Sequence, residues 1–337
     1  MKNRKIYIRS TGNISPQHSL DEGTFFLTRE KNTNNFFKSL EPDYSTFIDS
    51  KMIRRMSRIL KMGVAASLIC LRHAGVEDPS AIITATAYGC LEDSSAFLRR
   101  MIEFEEKMLS PTAFIQSTHN TVGAQIALLL KCHNYNNTIV HRRFSFENAL
   151  TESILLLEEG IAPVLVGAVD EITDDRHAIL SRFGLYRKHT GNIAGEGAAF
   201  FLLDNEPGFS YQAVLKDVQI IYNGVNIQED IAAFLKKNET ATDQIGLILY
   251  SYSGKDQQKE GNDGILKTCF GGIPNFPFES LCGDYPTSSG FGLWFGALLL
   301  KEQKLPAWME RVSFPLKNIF IHQQDGLHHS FLLISST

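Results

Sequence analysis

The second half of this chain is short of the groups that acid–base and nucleophilic chemistry draw on. No histidine lies between His189 and His322, so that stretch offers no imidazole as a proton acceptor. The five cysteines are scattered and odd in number. They form neither a disulfide framework nor a metal-ligand spacing, which fits a reducing cytoplasm. His328 and His329 are adjacent, so on a strand they would point to opposite faces and could not jointly hold one ion. No metal and no cofactor is expected. No apolar run reaches transmembrane length, and MKNRKIYIRS leads into polar residues rather than a signal-peptide core. A net charge of −4 provides no basic surplus for general nucleic-acid binding. Gly195, Glu196 and Gly197 are followed by a strand and not by Gly-Lys-Ser/Thr, which argues for a turn over a phosphate loop. Low-complexity segments and obvious linkers are also missing.

With 337 residues, 43% of them hydrophobic, the chain can bury a large core. Short β-prone runs alternate with amphipathic helices, and the scheme occurs twice. Strands are expected at Ile6 to Ile8, Ile82 to Thr86, Thr138 to Val140, Val164 to Val169 and Ala198 to Leu203, then at Ala213 to Tyr222 and Ile245 to Tyr250. A helix over Asn226 to Lys237 precedes the last of these. A helix over Ser288 to Gln303 and a closing antiparallel pair near Asn318 to His322 and Ser330 to Ile334 complete the pattern. Such a repeat implies an α/β chain of two similar halves, 1–205 and a trimmed 206–337, with sheets covered by helices. Periodicity alone also allows a Rossmann-like pair of domains. The series Lys51, Arg54, Arg55, Arg58, Lys61 is basic at helical spacing. It reads either as a solvated face or as a surface for an acidic partner.

The most informative segment is Thr138 to Thr173, which reads strand, tight turn, helix, buried strand. The residue at such a turn is exposed near a helix N-terminus, where positive partial charge favours a thiolate or an oxyanion. Here that residue is Arg143, which can supply neither.

The segment resembles the β-ketoacyl synthases, the thiolase-fold condensing enzymes of fatty acid and polyketide synthesis. Ser145, Asn148, Ala149, Leu150, Gly160, Gly167 and Asp170 fall in that family's elbow pattern, with Arg143 at the catalytic cysteine. STGNISP (Ser10 to Pro16), the helix Arg54 to Val76, Thr84 to Met101, Ser110 to Leu128 and AGEGAAFFLLD (Ala194 to Asp204) follow in family order. The resemblance implies a thiolase-like fold packed as α-β-α-β-α layers. It also implies a site built from one cysteine and two histidines. The first histidine motif corresponds to Leu247 to Asp256, leaving Ser251 or Ser253 at the histidine. The second corresponds to Glu279 to Gly290, with Glu279 at the lysine and Asp284 at the histidine. The late glycine loop appears as His322 to Gly326, which makes His322 and Asp325 pocket residues.

A pocket with these exchanges would hold a buried guanidinium that must be paired or hydrated. Arg143 is therefore expected against Asp284, Glu279 or Asp325. The resemblance is to chain-length factors, which keep the fold, lack the cysteine and pair with an active ketosynthase. It implies a cytoplasmic dimer, either heterodimer or homodimer, serving an acyl carrier protein, with Thr138, Ile139, Val140 and His141 at the interface and Phe114 and Gln116 as gate residues. Two alternatives stand beside it. One is a divergent acyltransferase using Ser145 or Cys282, and the other is a homodimer that binds an acyl or carrier ligand without turnover.

Overall fold

The computed structural model of the chain describes residues 5–30, 36–107, 109–186, 192–206, 210–253, 264–309 and 312–337. Five strands come first: β1 (Ile6–Ile14), β2 (Ala81–Ala85), β3 (Tyr135–Ile139), β4 (Val164–Asp170) and β5 (Gly197–Asp204). Five more follow: β6 (Ala213–Ile221), β7 (Ile245–Ser253), β8 (Asn275–Pro277), β9 (Asn318–Asp325) and β10 (His328–Ser335). The spatial order is β3-β2-β4-β5-β1-β6-β10-β9-β7-β8. Read inward from either end, the two sets of five repeat each other, β3 matching β8, β2 matching β7, β4 matching β9, β5 matching β10 and β1 matching β6. Pairing senses agree too. β2 is parallel to β3 and β4, as β7 is to β8 and β9, while β5 and β10 are antiparallel to their neighbours. The sets are joined where Ile6, Tyr7 and Ile8 of β1 pair with Leu215, Val214 and Ala213 of β6. The hydrogen bonding thus runs as one continuous sheet rather than two separate ones.

Strand alternation sorts apolar residues onto two faces. In β5, Ala199, Phe201 and Leu203 enter a central core, whereas Ala198, Phe200 and Leu202 enter an outer one. In β10, Leu332 and Ile334 point to the same central core while Phe331 and Leu333 point outward. The central core contains the helices Ser145–Glu158 and Ser289–Glu302. The helices Arg58–Ala74 and Thr121–Leu130 cover the first outer face and Ile227–Lys237 the second. The layers are therefore α-β-α-β-α. Helix Ser289–Glu302 is buried on nearly every side, which fits a helix apolar all round. Its glycines permit that depth, since a Cβ on Gly296 would sit 2.7 Å from Ile334 Cδ1.

Three local expectations are corrected. β1 does not end at Ile8 but stays extended to Ile14, because β5 pairs with it along that length. β3 starts at Tyr135, earlier than expected, and ends at Ile139, so Val140 and His141 lie beyond it. Asn136 and Asn137 are poor strand formers, yet here Asn136 Nδ2 donates to Gly123 O (3.0 Å) and Asn137 Nδ2 to both Glu152 oxygens (2.8 and 3.0 Å). The short strand β8 has no counterpart in the sequence reading. No helix among the described residues is long and apolar enough to cross a membrane.

Candidate functional site

The elbow is shaped by backbone before side chains. After β3, Arg142 takes a left-handed φ of 49°, uncommon for a residue with a Cβ, and a single 3-10 turn, Arg142–Phe144, feeds the helix Ser145–Glu158. Ser145 Oγ accepts from His141 N and donates to Arg142 O, both at 2.7 Å. That hydroxyl is fully committed to holding the turn. Arg142 is left exposed and Arg143 is directed inward, with 6% of its surface accessible.

Inside, Arg143 Nη1 donates to Asp284 Oδ1 at 2.6 Å and Nη2 donates to Glu279 Oε1. Glu279 also accepts from Ser288 Oγ at 3.3 Å. Burial works against the charge of Arg143, but Asp284 and Glu279, with Asp325 behind them, more than restore it and hold the guanidinium above its ordinary range. Burial pushes Glu279 up, and Arg143 pulls it back. Asp284 is placed by a close backbone approach. Gly195 N donates to Asp284 O at 2.9 Å and Asp284 N donates to Ile193 O at 2.7 Å. A Cβ on Gly195 would lie 2.0 Å from Cys282 O, and Gly283 turns with φ 79°.

A second buried carboxylate closes the site below. Asp170, at the end of β4, accepts from Thr86 Oγ1 (2.9 Å), Ala87 N (2.9 Å) and Thr287 Oγ1 (2.8 Å), while burial raises its pKa. Asp325 ends β9 on the same face as Ile319 and Ile321. Ser253 ends β7 in register with Asp325, and its side chain lies outside the described residues. Ser251 is buried on the same strand.

His322 is a correction. The period of two along β9 turns it away from the site, into the outer core beside Phe320 and Phe331, where its Nε2 lies 2.9 Å from His329 Nδ1 and the two rings stack. Burial pushes the imidazoles down to about 3 and about 4. Phe114 and Gln116 lie on the short helix Pro111–Gln116. The Phe114 ring is 59% exposed and rests on Phe97, and Gln116 Nε2 donates to Arg55 O at 2.6 Å. Thr138 and Ile139 are in β3, the terminal strand of the sheet. His141 lies 3.4 Å from the Tyr222 hydroxyl. Of the basic series, Arg58 is not solvated. It forks onto Glu196 at 2.5 and 2.6 Å, and Glu196 also accepts from Ser39 N and Ile172 N, so the loop around Gly195 is held by an internal ion pair.

The sequence reading passed over Glu147, which is wholly buried on the elbow helix and accepts from Ser330 Oγ at 2.9 Å. Its position four residues after Arg143 and among the inward-facing Phe146, Ala149 and Leu150 was the available signal. Chemically, the described residues bring a charge-paired guanidinium to the elbow. Cys282, the nearest thiol in sequence, is buried, and burial pushes it well above its ordinary range. Among the described residues no three His, Cys, Asp or Glu side chains are grouped so as to hold a metal ion.

Residues 28–184 match the family model described as beta-ketoacyl synthase, N-terminal domain. No curated protein matches the sequence. Among solved structures, the chain is similar to the ishigamide ketosynthase/chain length factor, with a TM-score of 0.80, 15% identity, and 99% of this chain and 100% of that one covered. It is similar to a ketosynthase (ApeO) in complex with its chain length factor (ApeC) from Xenorhabdus doucetiae, with a TM-score of 0.79, 15% identity, and coverage of 99% and 98%. A beta-ketoacyl synthase from Burkholderia phymatum STM815 matches with a TM-score of 0.78 and 13% identity, over 99% of this chain and 100% of that one.

Proposed function

Residues 28–184 match the β-ketoacyl synthase N-terminal model and the fold is similar throughout to solved ketosynthases, and from this we propose a non-catalytic subunit, similar to a chain length factor, that pairs with an active ketosynthase. One observation carries the reading. The elbow position that presents a nucleophile in the family holds Arg143, and its guanidinium is locked between Asp284 and Glu279. An arginine is never a nucleophile at accessible pH, and a buried pair cannot be undone cheaply. The fallback nucleophiles fare no better, because Ser145 is spent on the turn and burial holds the Cys282 thiol well above its ordinary range.

Pairing is supported by the sheet edge. β3 ends the ten-strand order, and an unpaired edge is a template for another strand. A groove of about 720 Å³ runs between β3 and the helix behind it, with Leu155 and Val140 exposed along it. On the adjoining helices Leu98, Ile102, Phe114 and Ile115 are exposed, an apolar surface of the kind that marks an interface. Thr138 to His141 and Phe114 would then contact the partner, with Phe114 and Gln116 bordering its acyl channel. The exposed Lys51, Arg54 and Arg55 suit an acidic carrier protein. The solved relatives include one titled as a type II polyketide synthase carrier protein in complex with its ketosynthase, which accords with that partner.

The test is co-expression with a ketosynthase that carries cysteine and both histidines. A heterodimer in native mass spectrometry, with product length altered by Phe114→Ala, is expected. Homodimers alone in its presence, with unchanged product, would replace this reading by the ligand-binding homodimer. A covalent acyl adduct on the isolated chain, abolished by replacing one serine or cysteine, would overturn the non-catalytic reading altogether.

A further inference from the structure

The buried face of the elbow helix carries one more acid than its pairing explains. Glu147 has no accessible surface, and its Oε1 accepts from Ser330 Oγ at 2.9 Å, a contact that joins the first set of five strands and their helices to the second. The groups around it count unevenly. Among the described residues Arg143, four positions earlier, is the guanidinium that acts on Glu147, and both its terminal nitrogens are already taken by Asp284 and Glu279. Asp325 adds a fourth carboxyl to the same guanidinium. The other elements at the seam bring hydroxyls, Ser289 at the start of the central helix and Ser330 on β10. Asp170, the acid at the end of β4, is satisfied by Thr86, Ala87 and Thr287. His329, next to Ser330, points to the opposite face of β10 and bonds His322.

Glu147, Asp284 and Glu279, largely shielded from water around one guanidinium, cannot all be charged, because each uncompensated charge costs several kcal/mol. Burial pushes Glu279 up as well, to about 8, although it bonds Arg143, so two of these acids can hold a proton, and one of the two lacks any bonded cation among the described residues. That acid is Glu147.

We propose that Glu147 is a proton-operated latch between the two halves of the fold: as a neutral acid it sits in the seam and bonds Ser330, and as a carboxylate it loosens the seam. The device is independent of the catalytic reading above, since it requires only the buried acid and the cross-half bond. Burial pushes Glu147 up to about 7, against 4.5 for a free glutamate, with Ser289, Ser330 and Arg143 pulling the other way. A folded-state value above the unfolded one means that the stabilising contribution is complete below about pH 4.5. It is lost as pH rises through 7. From pH 6 to pH 9 this group alone should lower the folding equilibrium constant about tenfold.

The experiment is chemical unfolding of the parent chain, Glu147→Gln and Glu147→Asp across pH 5 to 9. The glutamine variant stays neutral and should lose the tenfold component, leaving a shallower alkaline slope, while the aspartate variant, which still titrates, should keep it. Identical slopes for parent and glutamine variant would overturn the latch. Should neither variant fold, infrared spectra of the parent decide. Glu171 and Glu279 are pushed up as well, so the band that supports the proposal is a protonated-carboxyl C=O band at pH 6 that shifts when Ser330→Ala removes the hydrogen bond to Glu147; no band, or none that shifts, refutes it.

Discussion

Replacing Arg143 with alanine gives the sharpest test of how the elbow is held. The substitution removes the guanidinium that bonds Asp284 at 2.6 Å and also Glu279, whose side chains are only 7% and 13% exposed. The two carboxylates stay where the backbone places them, because Asp284 is fixed through Gly195 and Ile193. Breaking one side of such a buried pair costs about 3–5 kcal/mol. With an unfolding entropy of about 2.1 cal/mol/K per residue, a chain of 337 residues should melt about 4–7 °C lower. The deficit should depend on pH, since stranded carboxylates can relieve themselves by taking up protons. It should be largest near pH 8 and shrink toward pH 5. Scanning calorimetry at both values reads it. Arg142→Gly is the control, because it removes an exposed arginine from a left-handed φ and should leave stability unchanged or raise it by about 0.5–1 kcal/mol. An Arg143→Ala melting point equal to that of the parent at pH 8 would refute the reasoning, because it would mean that the carboxylates were already neutral or hydrated.

Two further outcomes follow from the geometry. The His322 and His329 imidazoles are held neutral by burial at about 3 and about 4, below their unfolded value near 6.5. Their contribution is therefore present above pH 6.5 and falls away as pH drops, by about 2 kcal/mol per imidazole at pH 5. His322→Phe, which keeps a ring among Phe320 and Phe331, should flatten that acid limb in unfolding titrations, and an unchanged limb would count against it. Gly195→Ala should cost about 3 kcal/mol or more, because its Cβ would meet the Cys282 carbonyl at 2.0 Å and Gly283 behind it. A soluble variant with parental melting temperature would show that the 193–195 and 282–284 segments can part.

The layered α/β architecture was legible because it rests on periodicity. The continuous apolar runs of β4 and β5 mark strands buried on both faces, and the apolar central helix likewise carries its own signal. The exceptions have local causes. Tyr135, Asn136 and Asn137 are weak strand formers in sequence, and become strand where their backbone pairs with Ala81, Ile82 and Ile83 while Gly123 and Glu152 accept their side chains. His322 was assigned to the pocket by its place in a loop motif. The parity of β9 decides otherwise, and parity depends on knowing that the strand runs unbroken from Asn318 to Asp325. The carboxylates near Arg143 lie 136 and 141 positions away in sequence, a separation no local pattern spans. Only the family motif order suggested them. Arg58, read as part of a basic face, was separated from it by Glu196, 138 residues on.

Several of the cross-half contacts surround the elbow, and that placement bears on how the site is held. Arg143 to Asp284, Glu147 to Ser330, Asp170 to Thr287, Gly195 to Asp284 and Gln17 to Leu281 all tie residues before 200 to residues after 280. The halves also share the short ladder of Ile6 to Ile8 with β6. A reactive site at the seam would require mobile or partly hydrated groups, and therefore fewer permanent ties, because a side chain committed to structure is not free to exchange protons. With a guanidinium at the elbow, paired to Asp284 and Glu279, these groups serve rigidity. A rigid seam holds the elbow helix, and with it β3 and the Leu155 stripe, in a fixed position relative to the rest of the chain. On the proposed function that edge is the surface a partner strand would meet, and the contacts that pair the elbow guanidinium are also the ones that hold the edge in place.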